Sequence, residues 1–361
     1  MNTATPMIEP AEACESGLAE APRAPDSRPL PGPGYLRERF APSTVALATI
    51  ASTRTAIGSI LRGADDRLLV IAGPCSIHNP DSAIAYAERL QHAAETVADR
   101  CLVVMRAYVE KPRTTIGWKG LVNDPGLDGG CDLARGLTTA RELYARISDI
   151  GLPIASEALD PLVAPYLADL VSWYAIGART TESQTHRELA SALPAPVGMK
   201  NATSGATDIA IDGIQAAGAA HTLIALDAQG RVSQRQAPGN PAPHLVLRGG
   251  ARPNYGAADV RAAGDALAAR GLIERVIVDC SHANSANAEG QRDPENQPKI
   301  AKGLAARRAA GERRIAGLML ESHLVAGKQP CTPAARPDQS VTDGCLGMDR
   351  TLDLLRDLAA A

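Results

Sequence analysis

The 361-residue chain has little charge of either sign in excess: 37 Lys and Arg against 40 Asp and Glu leave a formal net charge of −3, which argues against a nucleic-acid partner. It has no apolar run approaching the roughly 18 residues needed to span a bilayer. Its first residues, MNTATPMIEPAEACESG, lack a basic region followed by an apolar one. The expectation is a cytoplasmic protein with no membrane partner. The seven cysteines, Cys14, Cys75, Cys101, Cys131, Cys280, Cys331 and Cys345, are odd in number and never spaced CxxC, so neither a disulfide framework nor a zinc ribbon is indicated. No GxGxxG follows the first strand-like run, which disfavours a doubly wound dinucleotide-binding sheet.

What is present is the balance of a protein folded round a core, 45% apolar and 21% charged. Residues 1–34, ending SRPLPGPG, are rich in Pro, Ala and Glu without periodicity and read as a mobile arm. From Tyr35 the pattern changes. Residues 42–62 carry apolar residues at helical spacing, and eight strand-like runs follow: LLVIAG (68–73), LVVMRA (102–107), LPIASE (152–157), VSWYAIGA (171–178), PVGMKN (196–201), HLVLRG (244–249), RVIVDCS (275–281) and IAGLMLES (315–322). Helical patterns at 81–98, 136–151 and 257–271 separate several of them. Near-continuous apolar strands need burial on both faces, so the alternation predicts an α/β fold, a (β/α)8 TIM barrel over residues 35–361. Residues 221–236, HTLIALDAQGRVSQRQ, place a DAQG turn between two alternating runs and predict an inserted hairpin.

In such barrels the active site is built at the carboxyl ends of the strands. Taken in order, those ends offer Cys75; Arg106, with Lys111 and Arg113 just beyond; Glu157; Arg179; Lys200; Arg248; His282; and Glu321. A lone Arg after a strand is more often a solvated surface residue. Five cations (Arg106, Lys111, Arg179, Lys200, Arg248) directed to one mouth would repel one another, and make sense only round anions. Arginine forks match phosphate and carboxylate, so the expected ligand is a small, multiply charged phosphate ester. Cys75, His282 and Glu321 form a second set, mixed N, O and S donors suited to a divalent transition metal, which Asp343 could complete. Alone, His282 is as readily a core histidine bonded to backbone, and Cys75 a small buried residue. Their arrival from strands that neighbour one another in a closed barrel favours the metal.

The motifs GPCSIHNP, MRAYVEKPRTTIGWKG, AIGARTTESQTHRELAS, PVGMKN, LRGGARPNYG, DCSHANS, ESHLVAGKQ and SVTDGCLG span residues 68–348 in one order. In them the chain resembles the type I 3-deoxy-arabino-heptulosonate 7-phosphate (DAHP) synthases, the first enzymes of the shikimate pathway. The resemblance implies a metal-dependent condensation of phosphoenolpyruvate with erythrose 4-phosphate and water, releasing phosphate. It implies Cys75, His282, Glu321 and Asp343 as ligands of one divalent ion (Mn²⁺, Fe²⁺, Co²⁺ or Zn²⁺). Arg106, Lys111, Arg179 with Ala178 beside it, Lys200 and Arg248 become the phosphoenolpyruvate cradle, Arg113 and Thr114 the erythrose 4-phosphate contacts, and Glu157 a carboxylate that orients a water. Lys111 and a metal-bound water are both candidates for moving the proton. The family is often inhibited by Phe, Tyr or Trp near the inserted hairpin, where Pro194 stands in place of the serine of many sensitive members. A homodimer or homotetramer is expected. The arm and the polar stretch 286–299 match no motif and are expected to lie clear of the catalytic set.

Three other readings are weighed against this one. An octulosonate 8-phosphate synthase would share the barrel and phosphoenolpyruvate but use a pentose phosphate, and the KPRTT motif favours the four-carbon sugar. A Schiff-base aldolase would use Lys200 as nucleophile. A non-catalytic phosphosugar sensor would need no metal ligands.

Overall fold

Eight parallel strands close on themselves in chain order: β1 (Leu68–Gly73), β2 (Cys101–Arg106), β3 (Ile154–Glu157), β4 (Val171–Ile176), β5 (Val197–Lys200), β6 (His244–Leu247), β7 (Val276–Asp279) and β8 (Ile315–His323). β8 pairs with β1 to complete the (β/α)8 barrel. All eight lie within one or two residues of the runs read from sequence. The computed structural model describes residues 27–361; residues 1–26, with Cys14 and most of the expected arm, lie outside the described residues. Two units are distinguished, Met1–Leu30 and Pro31–Ala361. In the first, residues 27–30 are exposed and without regular structure.

The strands are buried along their length except at Leu102, as parallel strands covered on both faces must be. Alternate residues point into the barrel, where Leu69, Ile71, Val104, Ala155, Trp173, Val246, Ile277 and Met319 form one cluster. The residues between them, such as Val70, Met105, Tyr174 and Val278, pack outward under the helices. A Cβ on Gly198 would meet the Trp173 indole at 2.4 Å, so glycine there makes room for the largest ring in the barrel. Carried two residues further at the carboxyl ends, the inward set becomes polar: Arg106, Glu157, Arg248, Asp279 and Glu321.

Helix Thr44–Arg62 is long and apolar enough to cross a membrane on length and composition, contrary to the sequence reading. In the fold its Ile57, Ile60 and Leu61 are buried against the barrel interior, and Arg54 donates to the Val171 carbonyl at the start of β4. It therefore covers the amino-terminal mouth. Ser43 caps its first turn by accepting from the Ala46 N–H, and Gly63, at φ 81°, ends it. The hairpin forms as expected, His221–Leu226 against Val232–Ala237, antiparallel. Asp227 holds its turn by accepting from the N–H groups of Gln229 and Arg231. The end of the expected arm is ordered: helix Pro33–Arg39 begins there, and the Gly34 N–H donates to the Ala228 carbonyl at the hairpin tip, 2.7 Å away.

One buried histidine makes the barrel pH-sensitive. His244, without exposed surface, has Nδ1 2.9 Å from the Ala242 carbonyl and accepts at Nε2 from the Trp173 indole N–H at 3.0 Å. Protonation would turn a second N–H against that indole, and burial pushes the imidazole down to about 4. An unfolded histidine protonates near pH 6.5, so between these values the native state binds fewer protons and stability is lost as pH drops. From this residue the expected loss between pH 7 and pH 5 is about 2 kcal/mol. Urea titrations of the parent and His244→Gln at both pH values check it: the variant should lose less by that amount, and identical losses would assign the response elsewhere.

Candidate active site

The carboxyl ends of the strands open into a cavity of about 310 Å³ lined by Arg106, Tyr108, Lys111, Arg113, Thr114, Glu157, Arg179, Lys200, Arg248, His282, Arg292 and Asp343, among others. Ala178 flanks Arg179 without lining it. Cys75 and Glu321 are buried behind this lining, in contact with Lys111 and Arg106 respectively.

Local structure explains how Cys75 and Asp343 meet. After β1 the chain turns through Pro74 and Cys75, whose carbonyls accept from the Arg106 guanidinium at 3.2 and 3.0 Å. The motif GPCSIHNP closes on Asn79 and Pro80, the N-cap and first residue of helix Pro80–Thr96. Asp343 sits in the segment between β8 and the last helix, where Gly327 and Cys345 exchange backbone hydrogen bonds and Leu346–Gly347 adds to the end of β8. The Ser76 and Thr342 hydroxyls, 2.8 Å apart, tie the two segments together next to Cys75 and Asp343.

Cys75 Sγ, a Glu321 oxygen and an Asp343 oxygen all lie within 4.8 Å of one another. His282 stands beside this group, its Nε2 3.7 Å from Glu321 Oε1. Its Nδ1 is 2.8 Å from Asp279 Oδ2. Burial holds the imidazole below its ordinary range, with the Asp279 charge opposing. A neutral ring whose Nδ1–H is shared between Asp279 Oδ2 and the Ser281 hydroxyl oxygen, each 2.8 Å away, leaves the Nε2 lone pair facing the cluster, an arrangement that suits a metal-ligating histidine. His282 also adopts φ 54°, a strained conformation for a residue with a Cβ. The donors fit a divalent transition ion: two carboxylates, a neutral imidazole and a thiol. Burial, and next the Glu321 charge, push that thiol up to about 11, so at neutral pH it ionises only where a cation offsets them.

The cations are more compensated than the sequence suggests. Arg106 pairs with Glu321 at 3.0 Å and lies over the Tyr108 ring. Lys111 Nζ is 2.7 Å from Cys75 Sγ and 3.2 Å from Asp343 Oδ2. Burial alone would lower this ammonium, but the Cys75, Glu321 and Asp343 charges outweigh it and hold the group raised. Lys200 Nζ is 2.8 Å from Asp279 Oδ2. Among the described residues, Arg179 donates only to Thr114 Oγ1. Arg248 is 7% exposed, has no carboxylate within ion-pair reach among the described residues, and is lowered chiefly by burial. The demand for an external anion therefore concentrates at Arg248 and Arg179, not equally at five residues.

Three members of the site escaped the sequence reading. Asp279 is buried and holds both Lys200 and His282; its parity with Ile277, an inward residue, would have revealed it. Tyr108 is buried with an unpartnered hydroxyl. Arg292 lies in the stretch 286–299 expected to lie clear of the catalytic set, yet it lines the cavity and pairs with Asp343 at 3.3 Å. From the same stretch, the Gln297 amide bonds both backbone groups of Glu321. No motif signals either residue, because folding alone returns this loop to the mouth.

The family model of the DAHP synthetase I family matches residues 46–356. A Tyr-sensitive phospho-2-dehydro-3-deoxyheptonate aldolase of Salmonella typhimurium is 45% identical over 339 residues, 93% of this chain and 94% of that protein. A Phe-sensitive one of Escherichia coli is 46% identical over 342 residues, 94% and 96% of the two chains. A Trp-sensitive one of Enterobacter agglomerans is 46% identical over 324 residues, 89% and 91%. Among solved structures, a phospho-2-dehydro-3-deoxyheptonate aldolase from Francisella tularensis superposes with a TM-score of 0.90 at 38% identity, covering 94% of this chain and 98% of the other.

Proposed function

The chain belongs to the DAHP synthetase I family, transferases of aromatic amino acid biosynthesis, and from that premise we propose that it condenses phosphoenolpyruvate with erythrose 4-phosphate and water, releasing phosphate, in a barrel domain spanning residues 35–361. The observation that carries the proposal is the meeting, at one cavity, of buried Arg248, unpaired among the described residues, with Asp343 of the Cys75–Glu321–Asp343 donor cluster. A phosphate sensor has no use for the cluster. A Schiff-base aldolase needs a free amine, whereas Lys200 is held by Asp279.

In this reading Arg179, Lys200 and Arg248 hold the phosphate and carboxylate of phosphoenolpyruvate, with Arg106 and Lys111 beneath, and Arg113 and Thr114 meet the sugar phosphate. Cys75, His282, Glu321 and Asp343 would hold the divalent ion, which supplies Lewis-acid polarisation of the aldehyde. Phosphoenolpyruvate C3 forms the new bond to the aldehyde carbon, and the carbonyl electron pair moves to oxygen. Lys111, held charged by its neighbours, is poised to donate a proton there rather than to remove one. The π pair spent on the new bond leaves C2 electron-deficient; water adds there and gives up a proton, and the C2–O bond to phosphate breaks as the C2 carbonyl forms. Glu157 Oε1, buried without a partner, suits accepting a hydrogen bond from that water. A phosphate-release assay tests the reading: both substrates and Mn²⁺ should be required, and chelator should abolish turnover. Release with arabinose 5-phosphate but not erythrose 4-phosphate would move the chain to the octulosonate chemistry.

For regulation, a second cavity of about 240 Å³ lies between the hairpin and helix Gln184–Ala192, lined by Leu189, Leu193, Pro194, Leu223, Glu188 and Arg235 among others. An apolar pocket with one acid and one base at its wall suits an aromatic amino acid, and the relatives named above are Tyr-, Phe- and Trp-sensitive. Ser183, four residues after Arg179, caps this helix, which gives the pocket a direct route to the cradle. Calorimetric titration of Phe, Tyr and Trp should find one that binds, with phosphoenolpyruvate shifting its affinity by a factor equivalent to about 1–3 kcal/mol. If none binds at millimolar concentration, the pocket is not an effector site. Exposed Ile224 and Val232 on the hairpin favour a homo-oligomer, dimer or tetramer.

A further inference from the structure

Arg292 has no role in that scheme. It lies between the turn His282–Ser285 and helix Asn296–Ala309, in a loop built to hold it. Ala286 and Arg292 form an antiparallel bridge. The Asn287 N–H donates to the Gln291 carbonyl at 2.8 Å, and Asn287 Oδ1 accepts from the Gln291 N–H at 2.8 Å and the Glu289 N–H at 3.2 Å. The Asp293 N–H donates to the Ser285 carbonyl at 3.1 Å. Folded back in this way, the loop brings Arg292 to the cavity wall with Arg113, Arg179 and Arg248.

The cations of the cavity fall into two tiers. Lys200 and Arg248 are buried at the strand ends, whereas Arg113, Arg179 and Arg292 are exposed at the rim. Two phosphorylated substrates must share this space, and the one held by Lys200, Arg248 and Arg179 leaves the rim cations Arg113 and Arg292 to the other. Arg292 touches Asp343 Oδ1 with a single Nη1 at 3.3 Å, a one-point contact that leaves most of its five donors free. Its charge also bears on Arg248, so two cations without a shared counter-ion face this side of the cavity.

We propose that Arg292 is a contact for the phosphate of the second substrate, the aldose phosphate, gripping it from the β7 side while Arg113 and Thr114 grip it from the β2 side. The inference rests on the condensation reading. A forked donor on a phosphate oxygen that stays partly solvated lies at the lower end of charge-assisted hydrogen bonding.

Steady-state phosphate release by Arg292→Ala and Arg292→Lys tests it, with Mn²⁺ affinity of the metal-free proteins measured by calorimetry. In Arg292→Ala the KM for the aldose phosphate should rise about tenfold, with KM for phosphoenolpyruvate and Mn²⁺ affinity each within about twofold of the parent. Arg292→Lys should lie between, keeping the charge and losing the fork. A fall in Mn²⁺ affinity with unchanged KM values would overturn the inference and make Arg292 a positioning residue for Asp343. A parent that turns over beside an Arg292→Ala variant with unchanged KM overturns this inference alone. A parent that releases no phosphate from the two substrates overturns the condensation reading and this inference with it.

Discussion

Asp279→Ala should destabilise the protein by about 3–5 kcal/mol and abolish turnover, because it leaves the Lys200 ammonium buried without its partner. Asp279 has no exposed surface and accepts from Lys200 Nζ at 2.8 Å, from the Ser281 N–H at 3.0 Å and from the Ser281 hydroxyl at 2.6 Å, with His282 Nδ1 at 2.8 Å. Burial alone would raise this carboxyl, but His282 and Lys200 outweigh it and hold it well below the usual range. A carboxylate depressed in the folded state contributes stability that is full above its unfolded pKa, about 4, and is lost only as pH falls further. At neutral pH the single variant therefore shows the whole cost. The double variant Asp279→Ala, Lys200→Met removes charge and counter-charge together and should recover more than half of the lost stability, while turnover stays lost with the cradle lysine. Urea denaturation and phosphate release measure both. A single variant as stable as the parent would mean that Lys200 finds another partner and that the clamp is dispensable.

Cys75→Ser is expected to lower Mn²⁺ affinity by about 100-fold or more, and turnover with it, while the melting temperature changes little; loss of a supporting group behind a ligand already costs about 10–100-fold, and in the proposed site Cys75 would be the ligand itself. The thiol is within 3.3 Å of Asp343 Oδ2 and 2.7 Å of Lys111 Nζ, and a serine hydroxyl serves both hydrogen bonds. It does not supply a thiolate, the soft donor that ionises beside a metal. Calorimetric Mn²⁺ titration and thermal melting separate the two effects. Unchanged metal affinity with normal turnover would reduce Cys75 to a core residue and dissolve the proposed cluster.

The barrel strands were legible because parallel strands buried on both faces must be apolar throughout, and LLVIAG, RVIVDCS and IAGLMLES have no other stable use in a chain of this length. The strand-end residues followed from that assignment, since the position after an apolar run is the place where a polar side chain escapes the core. Helix Thr44–Arg62 was legible as a helix but not as the cover of the amino-terminal mouth, because its apolar stripe does not say which surface it meets.

By itself, the sequence determined that Cys75, Arg106, Glu157, Lys200, Arg248, His282 and Glu321 stand at strand ends, and its motif order determined the family. Which of them are paired was decided only by the tertiary structure. Whether Lys200 meets Asp279 or solvent, and whether Arg292 reaches Asp343 across 51 positions of chain, depends on distances of a few ångströms between segments remote in sequence. Coulomb energies and hydrogen bonds are decided at that range, whereas the local patterns that specify strands and helices reach only a few residues along the chain.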